Sequence, residues 1–319
     1  DLFARGEWAE LLAAECRDKG GHLTREDLET YRVECRKPVI VRYRGARCAI
    51  KPPPSSGGCL VAFALGVMSD WEPADQTWGD PQHMMNLLRG MRAASVARHE
   101  FAMESGSDRE VMGRLLSDEN IAEWQRSLDV NSPFSRGTTH ISVADAAGNI
   151  ASLTASNGEG CAHILPGTGI MLNNMLGEED INPGGFNCWN EGVRLASMMS
   201  PALAELPDGT RFALGSGGSN RIRSAVTQVL VNLLDFGMTP EQAVNAPRIH
   251  LEGNKLSTEP GFAEETLVAL EQAVPELHCW PEQNLFFGGV HTVSVGHGGQ
   301  FGGAGDPRRG GVAAFARRH

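Results

Sequence analysis

A chain of 319 residues with 41% hydrophobic and 21% charged residues is long enough and balanced enough to fold around a sizeable core. A net charge of -11 and a pI near 5.4 argue against nucleic acid or an acidic membrane surface as partner. No run approaches the ~18 apolar residues of a membrane helix. Seven widely spread cysteines without a C-x-x-C pair point to free thiols and favour a reducing compartment.

In chain order, "EWAELLAAECRD" (7–18) carries Trp8, Leu11, Leu12 and Cys16 at helical spacing, and Gly20-Gly21 stops it. "LTREDLETY" predicts a second helix, with Thr24 as N-cap and Asp27 three residues on. "PVIVRYRGARCAIK" predicts two short strands around a turn at Arg44-Gly45. The Pro-rich "PPPSSGG" (52–58) must be a loop of fixed shape, followed by a helix over 59–68. A long helix is predicted over 83–103, weakened by Gly90, and one or two more over 104–137, ending in the polar, protease-accessible "NSPFSRG".

From Thr138 the texture changes. "THISVAD" and "NIASLTAS" alternate across "AAG" and predict a hairpin. Glycine is dense beyond it, and "LGSGGSNRI" (214–222) places glycines after a strand and before a helix. That helix carries Ile222, Val226, Val229, Leu230 and Leu233 on one face and ends by Gly237. Thr239-Pro240 caps another, "NLFFGGVHTVSVG" predicts a strand, and the tail is rich in Gly and Arg.

Ten scattered histidines lack H-E-x-x-H or paired Cys/His spacing, so no metal site is expected, and His140 is expected to be a strand residue rather than a base. The glycine loop lacks G-K-[ST] and the full G-x-G-x-x-G, which leaves an oxyanion-binding loop ahead of a nucleotide cradle, with plain tight-turn packing close behind. No G-x-S-x-G elbow is present. "G-T-T-H" admits two readings: a turn entering a strand, or a nucleophile that supplies its own base. Cutting Gly137–Thr138 would free an α-amino group of pKa near ~8 beside the Thr138 hydroxyl, which suits a general base at neutral pH.

Taken together, "GGHLTREDLETY", "YRGARCAIKPPPSSGG", "GTTHISVADAAGN", "GTGIMLNNML", "LGSGGSNRIRSA" and "NAPRIH" resemble, in order, the γ-glutamyltransferase (γ-glutamyltranspeptidase) family of N-terminal nucleophile hydrolases. The resemblance implies an α/β fold, a four-layer αββα sandwich. It also implies autoproteolysis into a large-subunit-like part (1–137) and a small-subunit-like part (138–319) of one intertwined domain. Family members carry a further segment ahead of the equivalent of Asp1, with core strands and an Arg that clamps the donor α-carboxylate. This chain is therefore expected to lack that segment and to expose apolar strand surface.

By the same resemblance Thr138 is the nucleophile, Gly137–Thr138 the cleavage site, and Gly218 and Ser219 the oxyanion pair, with serine in place of the second glycine. Ser156 falls where a second threonine supports the nucleophile. Gly158 stands at an expected substrate-binding Asn, with Asn157 adjacent. Glu178 stands at an Asp that holds the glutamyl α-amino group. Ser197 matches the first of two carboxylate-binding serines, and Met198 replaces the second. The implied donor is a γ-glutamyl amide of the glutathione type, and the acceptor is water or an amino acid. No metal or organic cofactor is implied, and homodimerisation or association with an N-terminal segment is open. Met198 and Gly158 keep a related acylase for glutaryl or cephalosporin side chains in view. A non-catalytic truncated homologue is the reading of another class. The resemblance includes exported proteins, so the compartment stays open.

Overall fold

A computed structural model describes residues 2–73, 77–125 without 101–108, 138–178, 181–182, 185–186, 189 and 191–316, the side chains of 99, 100 and 109 aside. The chain divides into two compact units, one of Asp1–Lys37 with Asn157–Met175, the other of Pro38–Ser156 with Leu176–His319.

The smaller unit begins with α1 (Glu7–Asp18) and α2 (Arg25–Thr30). The capping box expected at Thr24 is present: its hydroxyl accepts from the Asp27 N–H, and the Asp27 carboxylate accepts from the Thr24 N–H at 2.7 Å.

The larger unit opens with a hairpin of β1 (Val39–Tyr43) and β2 (Ala46–Ile50). Its turn needs two left-handed residues, Arg44 at φ 50 and Gly45 at φ 76. Helix α3 (Ser56–Met68) begins three residues earlier than apolar spacing predicts. Its Gly57 and Gly58 press on the backbone of Met198 and Lys51, where a Cβ would collide. A tertiary contact thus overrides the poor helix propensity of two glycines. Helix α4 (Pro81–Glu100) follows, and its Gly90 is tolerated because a Cβ there would meet the Met68 sulfur at 2.5 Å. Helices α5 (Arg109–Leu115) and α6 (Asp118–Trp124) occupy the described part of 104–137.

The predicted hairpin is β3 (Thr139–Ala144) with β4 (Ile150–Ala155), and a second, short hairpin, β5 (Ile164–Leu165) with β6 (Ile170–Met171), belongs to the smaller unit. The remaining strands and helices of the larger unit are β7 (Ala202–Glu205), β8 (Arg211–Gly217), α7 (Arg221–Leu234), α8 (Pro240–Asn245), β9 (Ile249–Glu252), β10 (Lys255–Thr258), α9 (Glu264–Ala273), β11 (Glu276–Cys279), β12 (Gly289–Val295) and β13 (Phe301–Ala304). Strands β9 to β11 form a separate sheet that periodicity did not predict.

The main sheet has the order β1-β2-β7-β8-β12-β13, antiparallel throughout. Strand alternation divides β8 between two layers. Phe212 and Leu214 point into the core made with Val61, Leu65, Ile222, Val226 and Leu230 of α3 and α7. Gly215 and Gly217 point to the other face, against the β3–β4 hairpin, where a Cβ on either would collide with His140 or with the Thr138 carbonyl. These glycines let two sheets lie close together. The hairpin's inner face is polar and tied down, Ser152 Oγ donating to the Leu214 carbonyl at 2.8 Å and Ser142 Oγ to the His291 carbonyl at 3.2 Å. Its outer face leaves Ile141, Val143 and Leu153 more than half exposed, at 53%, 53% and 59%.

Two buried imidazoles make stability depend on acid. His83 lies between Trp71 and Phe236, and His140 between Thr154 Oγ1 at 2.7 Å and Ser142 Oγ at 2.9 Å. Burial pushes each pKa down to about 4. In the unfolded chain a histidine titrates near ~6.5, so between these values unfolding takes up protons. The stability carried by the neutral rings is complete above pH ~6.5 and is lost as pH falls toward ~4. The urea midpoint is expected to fall between about pH 7 and pH 5, these two rings contributing up to about two of the protons bound on unfolding. A profile flat over that range would contradict the neutral assignment.

Candidate active site

Thr138 sits where the chain enters β3, half-buried, and its Oγ1 donates to Ser156 Oγ at 3.2 Å from the end of β4. Antiparallel pairing explains the meeting, since Thr139 pairs with Ala155 and so brings the residues just outside the ladder together. His140, next along, is 4% exposed, engaged on both ring nitrogens and neutral, so it is a strand residue as expected. Gly137, the other side of the expected cleavage site, lies outside the described residues.

The glycine loop leaves the end of β8 directly beside Thr138. Gly218 has φ +133 and a Cβ there would stand 2.9 Å from Gly288 Cα, so only glycine fits. Ser219 takes a left-handed φ of 52, uncommon for a side-chain-bearing residue, and is 7% exposed. The carbonyls on either side of Gly218 are both used. Ser216 Oγ donates to the Gly217 carbonyl at 2.9 Å, and Arg221 N–H donates to the Gly218 carbonyl at 3.0 Å. In a planar trans peptide the N–H points opposite to the C=O. The N–H groups of Gly218 and Ser219 are thereby directed away from these partners, an arrangement suited to stabilising an oxyanion.

The loop is braced by residues that sequence reasoning missed. Asn220, the N-cap of α7, has both ends of its amide held: Arg98 donates to Oδ1 at 3.1 Å and Nδ2 donates to Glu252 Oε1 at 3.1 Å. Glu252 lies 3.7 Å from His250 Nε2, while the other ring nitrogen shares a 2.6 Å hydrogen bond with Ser224 Oγ. Burial holds His250 below its ordinary pKa. Behind Gly288 a second buried network joins Arg248, Arg308, Asp306 and Glu259. Burial raises the Asp306 carboxyl, but the charges of Arg248 and Arg308 outweigh it and hold the group below the usual carboxylate range. "NAPRIH" contained Arg248 and His250, but nothing local marks their distant partners.

The other expected substrate residues are positioned separately. Ser197 is buried; its carbonyl accepts from Gly57 N–H at 3.1 Å and Ser55 Oγ at 3.1 Å, and its hydroxyl accepts from Lys51 Nζ at 3.3 Å. The "PPPSSGG" loop therefore fixes the Ser197–Met199 segment, Ser55 Oγ also donating to the Met199 carbonyl at 2.7 Å. Glu178 is half-buried, its backbone carbonyl accepting from Asn182 Nδ2 at 2.7 Å. Asn157 belongs to the smaller unit, where its carbonyl accepts from the N–H groups of Gly160 at 3.1 Å and Asn174 at 3.2 Å; Gly158, beside it, has φ 66. Among the described residues no helix is long and apolar enough to cross a membrane.

Comparison with known proteins adds to this geometry. The family model described as Gamma-glutamyltranspeptidase matches residues 1–316. The chain is 28% identical to a glutathione hydrolase proenzyme of Escherichia coli (strain K12), over 97% of this chain and 57% of that protein. It is 29% identical to the acylase ACY 1 proenzyme of Pseudomonas sp. (strain SE83), over 95% of this chain and 56% of that protein. The crystal structure of a cephalosporin acylase from Bacillus halodurans matches with a TM-score of 0.83 and 26% identity, over 99% of this chain and 60% of that one. The chain thus spans a little over half the length of these relatives, and shares the α/β sandwich fold of the acylase.

Proposed function

Because the chain belongs to the gamma-glutamyltranspeptidase family, we propose that it acts by acyl transfer from γ-glutamyl amides, with Thr138 as nucleophile. The Thr138–Ser156 hydrogen bond of 3.2 Å, beside the Gly217–Ser219 loop, carries the reading. An internal threonine has no base of its own, so activation is cleavage. The Thr138 hydroxyl attacks the Gly137 carbonyl, the peptide C–N bond breaks as the acyl group passes to oxygen, and water hydrolyses the ester. The product carries a free α-amino group on Thr138.

In turnover that amine takes the hydroxyl proton as Oγ1 attacks the donor carbonyl. The N–H groups of Gly218 and Ser219 stabilise the oxyanion of the tetrahedral intermediate. Its collapse breaks the amide C–N bond, and the ammonium returns the proton to the departing amine. Water or an amino acid then attacks the acyl-enzyme ester and regenerates Thr138. Ser156 orients the nucleophile, Ser197 receives the acyl carboxylate, and Glu178 faces the polar end bearing the α-amino group.

Met198 supports a second reading, an acylase for glutaryl-type side chains, as does the similarity to an acylase proenzyme and a cephalosporin acylase. Comparing kcat/KM for γ-glutamyl and glutaryl p-nitroanilide separates them. The proposal expects γ-glutamyl to be favoured by about tenfold or more, the worth of one charge-assisted contact from Glu178 to the α-ammonium. Preference for glutaryl would assign the chain to the acylase reading, and turnover of neither would favour the non-catalytic one.

A further inference from the structure

We propose that Glu252 is a positioning residue for acyl transfer: it holds the Asn220 amide and so fixes the orientation of the peptide that carries the Ser219 N–H. The inference rests on the acyl-transfer reading above and extends it to a residue that never meets the substrate.

Helix α7 packs into the core, yet it carries a buried polar stripe at intervals of four residues, Asn220, Ser224 and Gln228. Residues so spaced lie one above another on a helix. Strand β9 runs along that stripe and is keyed to it at each level. Gln228 exchanges two hydrogen bonds with the backbone of Ile249, Oε1 accepting from its N–H and Nε2 donating to its carbonyl, both at 2.9 Å. Ser224 Oγ meets His250 Nδ1 at 2.6 Å, and Asn220 Nδ2 donates to Glu252 Oε1 at 3.1 Å. Buried polar contacts of this kind set the register of two elements, because a slip would leave each group unpaired.

The level nearest the site differs from the other two. Asparagine at a helix N-cap ordinarily turns its side chain onto the N–H two or three residues ahead. Asn220 makes no such cap, and its amide reaches instead between Arg98 of α4 and Glu252 of β9. Its backbone belongs to the turn that shapes the loop. Arg221 N–H donates to the Gly218 carbonyl and Ile222 N–H to the Ser219 carbonyl, each at 3.0 Å. The Gly218 carbonyl and the Ser219 N–H share one planar peptide, so whatever holds this turn also aims that N–H. Ser219 is left-handed at φ 52, a conformation that a side-chain-bearing residue keeps only where its surroundings impose it. Glu252 supplies part of that constraint. Its own place is fixed by β9, where it pairs with Lys255 of β10, and by His250 Nε2 at 3.7 Å from its other oxygen.

What the loop needs from Glu252 is a hydrogen-bond acceptor at a fixed point. A carboxylate only accepts and a guanidinium only donates. Between them they settle which way round the Asn220 amide lies, Nδ2 toward Glu252 and Oδ1 toward Arg98. Leucine, of similar size, removes the acceptor. Glutamine keeps an oxygen at the same reach, and His250 can then take the tautomer that donates from Nδ1 to Ser224 Oγ.

The test uses the full-length protein and compares wild type, E252Q, E252L, N220A and N220A/E252L. Turnover is read on the better of γ-glutamyl and glutaryl p-nitroanilide, per chain cut at Gly137–Thr138, and urea unfolding checks that each variant folds. E252L is expected to lower kcat by roughly 10- to 100-fold, the scale of a misaligned oxyanion donor, with KM within about twofold of wild type. E252Q is expected to recover most of that loss. Adding N220A to E252L is expected to cost nothing further, since both act through one contact. Hydrogen exchange reads the turn without turnover: the Arg221 and Ile222 amides are expected to exchange faster in E252L but not in E252Q, with Val229 and Leu230 unchanged. An unchanged kcat in E252L, equal losses in E252L and E252Q, or a loss carried by KM overturns the proposal and leaves acyl transfer in place. A wild type that turns over no anilide, with the exchange change still confined to the turn in E252L, retains Glu252 as its support and discards the acyl-transfer reading.

Discussion

Thr138→Ala is expected to yield one uncut chain and to remove acyl transfer by about 10⁵-fold or more, the scale of losing a covalent nucleophile. Both effects come from one atom, since the same Oγ1 that would open the Gly137 carbonyl would later attack the donor. The two readouts are separable. Denaturing mass spectrometry after incubation at neutral pH should resolve two wild-type fragments, split between Gly137 and Thr138, and one chain for the variant. An anilide assay then measures turnover. Thr138→Ser, which keeps a hydroxyl within reach of Ser156 Oγ, is expected to cleave itself and retain part of the activity. Fragments of the same mass from the alanine variant would eliminate Thr138 as the cleaving residue.

The largest loss of stability is expected at Arg308, far along the chain from the nucleophile. Its side chain is 0% exposed, donates from Nε to Glu259 Oε1 at 2.7 Å, and pairs through its two terminal nitrogens with Glu259 and Asp306. Those nitrogens also donate to the carbonyls of Val244 and Ala246, both at 2.9 Å. Arg308→Met leaves Glu259 buried with its charge uncompensated, which costs about 3–5 kcal/mol. A correspondingly lower urea midpoint should follow, with the slope unchanged. Adding Glu259→Met should recover a good part of the loss, because removing both charges is far less damaging than removing one. A single variant as stable as the wild type would show that the ion pair is not formed. The site would feel the loss as well, since Asp306 also binds Arg248, whose guanidinium donates to the Gly288 carbonyl behind Gly218.

These two residues differ in how far they could be read in advance. Thr138 stands in a local pattern, a polar junction leading into an alternating strand. The chemistry of an N-terminal threonine then made it a candidate without knowledge of its neighbours. The capping box at Thr24, the turn at Arg44-Gly45 and the helix face of Ile222 to Leu233 were legible for the same reason. Each depends on hydrogen bonds and side-chain spacing within a few residues. Arg308 instead lay in a Gly- and Arg-rich tail that looks like solvated surface, and its partner Glu259 is 49 positions away.

The sequence by itself determined the local elements, the candidate nucleophile and the glycines that a close approach demands. Backbone propensity, turn chemistry and side-chain reactivity act over one or two turns of chain and are written in neighbouring residues. Only the tertiary structure decided that α3 begins at Ser56, that Lys51 meets Ser197, that Asn220 is clamped by Arg98 and Glu252, and that two arginines are buried behind the glycine loop. Those outcomes rest on desolvation, close packing and charge pairing between strands and helices that are distant in the chain. Their energy depends on which residues become neighbours, and only the folded chain brings those residues together.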